Sequence, residues 1–156
     1  MGAMVDNNHA SKVEAFLNVG KGEAKLVTGG SRFAIGDSDA FIQPTIFADV
    51  PKDSTISRDE IFGPVLAIQT FETENEAIKM ANNSLYGLAA SVWTADLTRA
   101  MDFSDKLHVG TVSVNTVDAL SAMTPFGGMK QSGFGRDLSI HSFDKYTALK
   151  TIWVKY

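Results

Sequence analysis

Residues 65–115 alternate between two hydrophobic periods, and this alternation constrains the fold more than any other feature of the chain. Three largely apolar segments of strand length occupy residues 65–71, 88–93 and 111–115. The two segments between them place apolar residues at helical spacing. This order predicts parallel strands joined by right-handed crossovers, and therefore an α/β fold with an open, mostly parallel sheet and flanking helices.

Both predicted helices carry their own start signals. Thr73 followed by Glu76 has the form of a capping box, in which a hydroxyl and a carboxylate satisfy free N–H groups of the first turn. Asp96 can cap the second helix, and Gly110 is expected to end it. The apolar faces that follow these caps are Ala77, Ile78, Ala81 and Leu85, then Leu97, Ala100, Met101 and Leu107.

The N-terminal third has a weaker pattern. Val13, Phe16 and Leu17 predict a short amphipathic helix that Gly20 ends, and residues 24–28 predict a strand. Residues 41–50 are expected to be extended. Because Pro44 lacks an N–H group, an edge strand or a bulge is predicted there.

At the other end of the chain, a short helix is predicted over residues 139–146 and a final strand over residues 149–156. That strand has apolar groups on both faces, which is typical of a strand that adds to another sheet. Residues 1–4 are expected to be a cloning scar and are set aside.

Composition excludes several classes of function. The net charge is −4, so the chain is not expected to bind nucleic acid or an anionic membrane. No apolar run is long enough to cross a bilayer and no leader is recognised, so a cytoplasmic location is expected. The chain has no cysteine, which excludes disulfides, thiolate metal sites and a cysteine nucleophile within these 156 residues.

The glycine-rich stretch GGMKQSGFG, residues 127–135, invites comparison with phosphate-binding loops. Its lysine lies between the glycines, whereas a Walker loop needs Gly-Lys-Ser/Thr at its end. Gly133-Phe134-Gly135 continues as Arg-Asp-Leu and does not complete a dinucleotide-binding pattern. A structural loop is therefore predicted.

Histidines and acidic residues offer two further candidates. The three histidines lie far apart in the sequence, so metal binding is not expected; they are His9, His108 and His141. An acidic cluster is compatible with a hydrolase pair and equally with a solvated loop; it consists of Asp49, Asp53, Asp59 and Glu60.

Glu60 and Phe62, in the segment EIFGPV, resist such a simple structural explanation. A carboxylate can accept two hydrogen bonds from a vicinal diol, and an aromatic ring can stack on a flat heterocycle. Ligands of open α/β sheets bind outside strand ends, where this segment lies if Val65 begins a strand. The pair is therefore a candidate ligand site.

Four motifs in order, EIFGPV, NNSLYGLAASVWT, GTVSVN and PFGGMKQSGFGRD, resemble the aldehyde dehydrogenase superfamily. The resemblance covers residues 5–156. It implies that residues 5–148 are the latter part of the catalytic domain. Residues 149–156 would be the terminal strand that the family uses for oligomer contacts, implying a homo-oligomer.

The resemblance implies an NAD(P)-dependent oxidation of an aldehyde to a carboxylic acid through a cysteine thioester. The nucleophilic cysteine and the general-base glutamate of the family lie upstream of this chain. No catalytic residue is therefore expected here, and the chain is expected to be inactive alone.

By position, Glu60 resembles the carboxylate that holds the nicotinamide ribose hydroxyls, and Phe62 resembles the ring beside the nicotinamide. NAD or NADP is the cofactor implied for the complete enzyme. Two side chains offer little surface to a dinucleotide, so no tight binding to this chain alone is expected.

The resemblance also assigns residues 117–126 to an aldehyde-pocket loop, with Leu120 and Phe126 as wall residues. Arg136 and Asp137 lie where many members have Arg-Glu, which implies an acidic relay or a subunit salt bridge. The loop is most similar to that of bacterial enzymes acting on aminoaldehydes such as γ-glutamyl-γ-aminobutyraldehyde. The alternative reading is a non-catalytic folding or assembly domain.

Overall fold

The computed structural model describes residues 1–117 and 119–156, which form two compact units, Met1–Ala77 and Ile78–Tyr156. The elements of the first unit are α1 (Asn7–Glu23), β1 (Lys25–Thr28), β2 (Arg32–Ile35), β3 (Ser38–Ile42), β4 (Thr45–Ala48), α2 (Thr55–Arg58) and β5 (Val65–Ala67). Helix α3 (Glu74–Asn82) contains the division between the units. The elements that follow are β6 (Tyr86–Gly87), β7 (Ala89–Val92), α4 (Leu97–Lys106), β8 (Thr111–Val114), β9 (Met129–Lys130) and a 3₁₀ helix (Ile140–Lys145).

The first unit contains a three-stranded sheet with the order β1-β4-β5 and a separate antiparallel hairpin of β2 and β3. Strand β4 is central, antiparallel to β1 and parallel to β5. The edge strand or bulge predicted from Pro44 is therefore wrong. Pro44 lies between β3 and β4, so its missing N–H group interrupts neither strand.

Helix α1 is longer than predicted, because it neither begins near Val13 nor ends at Gly20. Asp6 caps its first turn by accepting a hydrogen bond from the His9 N–H at 2.7 Å. Gly20 does not end the helix; it allows the helix backbone to approach the Phe47 ring closely. A Cβ atom at this position would lie 2.8 Å from Cζ of Phe47, so the glycine lets the ring pack on the helix backbone.

The core of the first unit lies between α1 and the central strand. Its buried apolar side chains are Val13, Leu17, Ile42, Phe47, Val50 and Ile56. Met4 packs against this cluster, and its N–H donates to the Ala40 carbonyl oxygen at 2.7 Å. Met4, which the sequence argument set aside with residues 1–3, is thus part of the fold.

The second unit contains the predicted strand–helix–strand motif. Strand β7 pairs in parallel with β8, from Ala89 opposite Thr111 to Val92 opposite Val114, and α4 connects them. Asp96 caps α4 by accepting a hydrogen bond from the Arg99 N–H at 3.1 Å. The mixed α/β class is confirmed. The short strands β6 and β9 add an antiparallel pair that the sequence pattern did not predict.

The capping box of α3 is present in a modified form. The Glu76 N–H donates to the Thr73 hydroxyl at 3.2 Å, while the Glu76 carboxylate accepts from the Glu72 N–H at 2.8 Å. The hydrogen bond from the Glu72 N–H and the ion pair with Lys52 hold the pKa of Glu76 below its ordinary value of 4.5. The return bond of the box thus reaches one residue further back than predicted.

Residues 149–156 are exposed and pair with no strand among the described residues. Trp153 is 91% exposed. A β-strand forms its hydrogen bonds with a neighbouring strand, and none of the described residues provides one for this segment. The terminal strand therefore stays a prediction. In the described ranges, no helix is long and apolar enough to cross a membrane.

Two glycines of α1 provide a test of this packing. A Cβ atom at Gly22 meets no atom within 4 Å, whereas one at Gly20 meets the buried Phe47 ring. Gly22→Ala is expected to raise the free energy of unfolding by about 0.5–1 kcal/mol through helix propensity. Gly20→Ala is expected to lower it by about 1–3 kcal/mol, because the ring is displaced. Urea unfolding measures both, and equal effects would contradict the proposed contact.

Candidate functional site

Glu60 and Phe62 lie in the segment that joins α2 to β5, on the wall of an open groove of about 880 Å³. The opposite wall comes from the first turns of α1 and the residues before it, and includes Asp6, His9 and Lys12. The segment precedes β5, so it lies at the amino end of the parallel β4–β5 pair. The strand-end rule for open α/β sheets concerns carboxyl ends and does not account for this position.

Phe62 has a left-handed backbone conformation with φ at 55°, and its side chain is 73% exposed in the groove. A phenylalanine with this backbone conformation is strained, and it persists only where surrounding contacts hold it. His9 provides such a contact, because its Nε2 lies 2.7 Å from the Phe62 carbonyl oxygen. Since a carbonyl oxygen only accepts, Nε2 carries the hydrogen. The two rings also lie 6.0 Å apart at an angle of 40°.

The backbone of this segment lies directly on α1. A Cβ atom at Gly63 would be 2.8 Å from Cγ1 of Val13, so only glycine allows this approach. Ile61, between the two candidate residues, packs against the buried core cluster. Glu60 and Phe62 on either side are exposed. The alternation exposes the two candidate side chains and leaves the residue between them half-buried.

The groove combines charges of both signs with an aromatic surface. Lys12 provides a cation, Asp6 and Glu60 provide carboxylates, and Phe16 adds apolar wall. This set can accept hydrogen bonds from a sugar diol, donate to an anionic group and stack on a planar ring. It suits one part of a nucleotide.

Sequence reasoning missed His9 and Lys12 as members of this groove. They lie three residues apart on α1, and Phe16 follows after four more, so a single helix face carries all three. This spacing is visible in the sequence. Nothing in the sequence, however, connects that face with residues more than forty positions later, and only the fold brings them together.

The second unit has its own cavity of about 390 Å³, and Leu120 and Phe126 both line it. The floor consists of small side chains from the two parallel strands: Ala89, Ala90, Ser91, Thr111 and Ser113. Val117, Leu120 and Phe126 follow the carboxyl end of β8 and form the apolar wall. Asp118, in the same predicted loop, lies outside the described residues.

Backbone hydrogen bonds close the chain behind this wall. The Phe126 N–H donates to the Asp137 carbonyl oxygen at 2.8 Å, and the Asp137 N–H donates to the Phe126 carbonyl oxygen at 2.7 Å. The Asp137 carboxylate pairs with Lys145 at 2.6 Å. The Arg136 guanidinium donates to the Gly128 carbonyl oxygen at 2.9 Å. Arg136 and Asp137 thus both have partners within this chain.

Gly127 and Gly128 allow close backbone packing in the stretch of residues 127–135. A Cβ atom at Gly127 would lie 2.5 Å from the Gly135 carbonyl oxygen, and one at Gly128 would lie 2.6 Å from the Ser132 carbonyl oxygen. Side chains at these positions would force the loop apart. The glycine-rich stretch is a tightly folded structural loop, as the sequence predicted.

Across the described residues, no group of three or more histidines, cysteines, aspartates or glutamates is placed to hold a metal ion. Among the described residues, the titratable groups that line the groove are Asp6, His9, Lys12 and Glu60. A cofactor held here would therefore be bound through hydrogen bonds, charge and ring contacts.

The fold is mixed α/β, and each unit has its own cleft. The sequence model of the aldehyde dehydrogenase family matches residues 1–152. The chain belongs to the aldehyde dehydrogenase family.

Curated relatives agree with this assignment over nearly the whole chain. The NADP/NAD-dependent aldehyde dehydrogenase PuuC of Escherichia coli is 46% identical over 154 residues, which are 99% of this chain and 30% of that protein. The mitochondrial aldehyde dehydrogenase of Homo sapiens is 48% identical over 155 residues, again 99% and 30%. The chain thus spans about a third of the length of the relatives it matches.

Solved structures show the same similarity in three dimensions. An indole-3-acetaldehyde dehydrogenase mutant, AldA of P. syringae, in complex with NAD+ and IAA, superposes with a TM-score of 0.95 at 45% identity. The comparison covers 100% of this chain and 32% of that one. An aldehyde dehydrogenase from Bacillus cereus in complex with NAD+ has a TM-score of 0.93 at 42% identity, covering 99% and 31%.

A buried hydroxyl in the second cavity provides a test of its polarity. The Thr111 Oγ1 is buried and has no hydrogen-bond partner among the residues that the structure describes. Thr111→Val is expected to leave the free energy of unfolding unchanged or to raise it by up to about 1 kcal/mol, because no hydrogen bond is lost.

Thr45→Val is the matched control. The Thr45 hydroxyl accepts from the Gly30 N–H at 2.9 Å and donates to the Gln43 carbonyl oxygen at 2.8 Å. Its loss is expected to lower the free energy of unfolding by about 1–3 kcal/mol, since a buried donor is left unpaired. A comparable loss in Thr111→Val, measured by urea unfolding, would show that Thr111 has a partner.

Proposed function

We propose that this chain is the part of an NAD(P)-dependent aldehyde dehydrogenase that forms one wall of the cofactor site and one wall of the aldehyde pocket. The complete enzyme would oxidise an aldehyde to a carboxylic acid while NAD(P)+ becomes NAD(P)H. The observation that carries the proposal is the position of Glu60 and Phe62 on one groove wall. These are the residues that the resemblance assigns to the cofactor.

In the proposed site, Glu60 accepts hydrogen bonds from the two ribose hydroxyls next to the nicotinamide. An exposed carboxylate has enough free lone pairs to accept both. Phe62 presents its ring to the nicotinamide, and the contact with His9 fixes the direction of that residue's backbone. The bound cofactor supplies the hydride acceptor, and the residues of this chain bind and orient it.

Lys12 and His9 extend the proposed site along α1. Lys12 lies in the same groove as Glu60 and can donate to ribose or phosphate oxygens. The fit is supported by the donor and acceptor types present. A carboxylate can accept hydrogen bonds from ribose hydroxyls, and an ammonium can donate to anionic oxygens.

Leu120 and Phe126 form the proposed wall of the aldehyde pocket, with Val117 beside them. Apolar side chains at this position exclude water from the substrate and bind its carbon skeleton. The substrate remains a prediction: the loop favours aminoaldehydes such as γ-glutamyl-γ-aminobutyraldehyde. A cytoplasmic location also stays a prediction.

The 156 residues contain no cysteine, so the thiolate that forms the thioester must come from outside them. We therefore propose that this chain does not oxidise an aldehyde by itself and binds NAD(P) weakly. The purified chain is expected to form no NAD(P)H with any aldehyde.

A chimera tests the cofactor assignment. It joins the upstream two-thirds of the Escherichia coli relative to residues 5–156 and is assayed for aldehyde-dependent NAD(P)H formation. Glu60→Gln is expected to lower kcat/KM for NAD(P)+ by about 10- to 100-fold, because hydrogen bonds to a charged acceptor are weakened.

Asp59→Asn is the matched control, because it removes the same charge one residue away and Asp59 does not line the groove. It is expected to leave kcat/KM unchanged. Equal effects of the two substitutions, or no effect of Glu60→Gln, would contradict the proposed role of Glu60.

The alternative function is that of a folding or assembly unit. The observation that favours it is the exposed apolar surface of residues 149–156, including Trp153 and Val154. We propose that this segment adds as a strand to a second copy and produces a homo-oligomer.

Deletion of residues 149–156 tests the assembly proposal. The unchanged chain is expected to elute from size-exclusion chromatography as an oligomer, and the shortened chain as a monomer. A control with Lys150→Gln and Lys155→Gln retains the apolar side chains and is expected to elute like the unchanged chain. An unchanged elution volume after the deletion, corrected for mass, would exclude this segment as the contact.

A further inference from the structure

Helix α1 contacts the segment carrying Glu60 and Phe62 at two widely separated points. One contact is near its last residue. The Glu23 carboxylate accepts hydrogen bonds from the Thr55 N–H at 3.1 Å, the Thr55 hydroxyl at 2.8 Å and the Ile56 N–H at 3.3 Å. These hydrogen bonds, that of the Thr55 N–H first, hold the pKa of Glu23 below its ordinary value of 4.5.

This contact replaces a local helix cap. Ser54 is the N-cap residue of α2, but its side chain makes no capping hydrogen bond. Its hydroxyl donates instead to the Pro51 carbonyl oxygen at 2.8 Å. The first two N–H groups of α2, those of Thr55 and Ile56, donate to Glu23, which is more than thirty residues earlier in the sequence. A helix of four residues is not stable by itself in water, so the hydrogen bonds from Glu23 are expected to stabilise α2.

The second contact is in the first turn of α1. The His9 Nε2 donates to the Phe62 carbonyl oxygen at 2.7 Å and thereby holds a residue whose φ is 55°. His9 and Glu23 are fourteen positions apart on a continuous helix, which corresponds to about 21 Å. The two contacts therefore fix the beginning and the end of residues 55–62.

Apolar side chains pack between the two contacts. Val13 lies against the backbone of Gly63, and Ile56 belongs to the same buried cluster as Val13 and Leu17. His9, Val13, Leu17 and Gly20 recur at intervals of three and four, so one face of α1 carries the set. The segment follows this face over most of its length.

We propose that α1 is the rigid element that positions Glu60 and Phe62, with His9 and Glu23 as positioning residues. The biological meaning of this role rests on the proposed cofactor site. Glu23 sets where the segment begins by capping α2. His9 sets the backbone direction at Phe62, and hence where the ring lies relative to Glu60.

The chemistry of the two contacts selects the variants. At position 9, Gln retains an N–H donor at similar reach, whereas Leu retains only the volume. At position 23, Gln retains one acceptor oxygen, whereas Ala has none. Asn18 is exposed on the same helix, and Asn18→Ala is the control for general changes in α1.

The experiment uses the 156-residue chain and reads each contact separately. Amide hydrogen exchange by NMR reports the Thr55 and Ile56 N–H groups. The carbonyl ¹³C shift and the HN–Hα coupling of Phe62 report its hydrogen bond and its φ. Glu23→Ala is expected to speed exchange at Thr55 and Ile56 by about tenfold or more, with a smaller change in Glu23→Gln.

His9→Leu is expected to shift the Phe62 carbonyl signal and alter its coupling, while His9→Gln restores both. Asn18→Ala is expected to change neither readout. The decisive result is whether each substitution changes only the signals at its own contact. A uniform rise in exchange throughout the chain, or an unchanged Phe62 in His9→Leu, would overturn the proposal, because α1 would then be only a part of the core.

The same variants in the chimera separate this proposal from the proposed function. If His9→Leu alters Phe62 while Glu60→Gln leaves the cofactor kinetics unchanged, the positioning role stands and the cofactor assignment fails. If Glu60→Gln lowers kcat/KM for NAD(P)+ and His9→Leu leaves the Phe62 signals unchanged, the cofactor assignment stands and the positioning role fails.

Discussion

The contact between the Phe47 ring and the backbone at Gly20 is the interaction on which the first unit depends. Phe47 is fully buried in the middle of the central strand, and its ring lies where any side chain at position 20 would be. This contact sets the distance between α1 and the sheet. Because α1 also carries the contacts with residues 55–63, the position of the candidate groove follows from the same packing.

The two clefts are built on different principles. The groove of the first unit joins residues distant in sequence, so its geometry depends on how α1 packs and on single contacts such as His9 with Phe62. The cavity of the second unit is largely local. Strands β7 and β8 supply its floor, and the segment directly after β8 supplies Leu120 and Phe126. We therefore expect substitutions in the core of α1 to alter the groove, and substitutions distant from β7 and β8 to leave the cavity unchanged.

Local signals in the sequence predicted local structure well. The cap at Asp96, the box at Thr73 and the parallel strands around α4 all follow from patterns within a few residues. The errors arose where a residue type has two uses. Gly20 was expected to end a helix but makes room for a ring, and Pro44 was expected to weaken a strand but precedes it. That His9 and Lys12 of α1 share a groove with Glu60 was not predictable, because no local pattern in the sequence connects them.

The side chain of Asn115 joins the carboxyl ends of the two parallel strands β7 and β8. With φ at 54°, it turns the chain at the end of β8, and its amide accepts from the Thr94 N–H and donates to the Thr94 carbonyl oxygen, each at 2.9 Å. The two hydrogen bonds hold the ends of β7 and β8 together at the point where the next segment begins. Because these hydrogen bonds join the chain after β7 to the chain after β8, the register of the two strands does not depend on the sequence of the segment beyond Asn115.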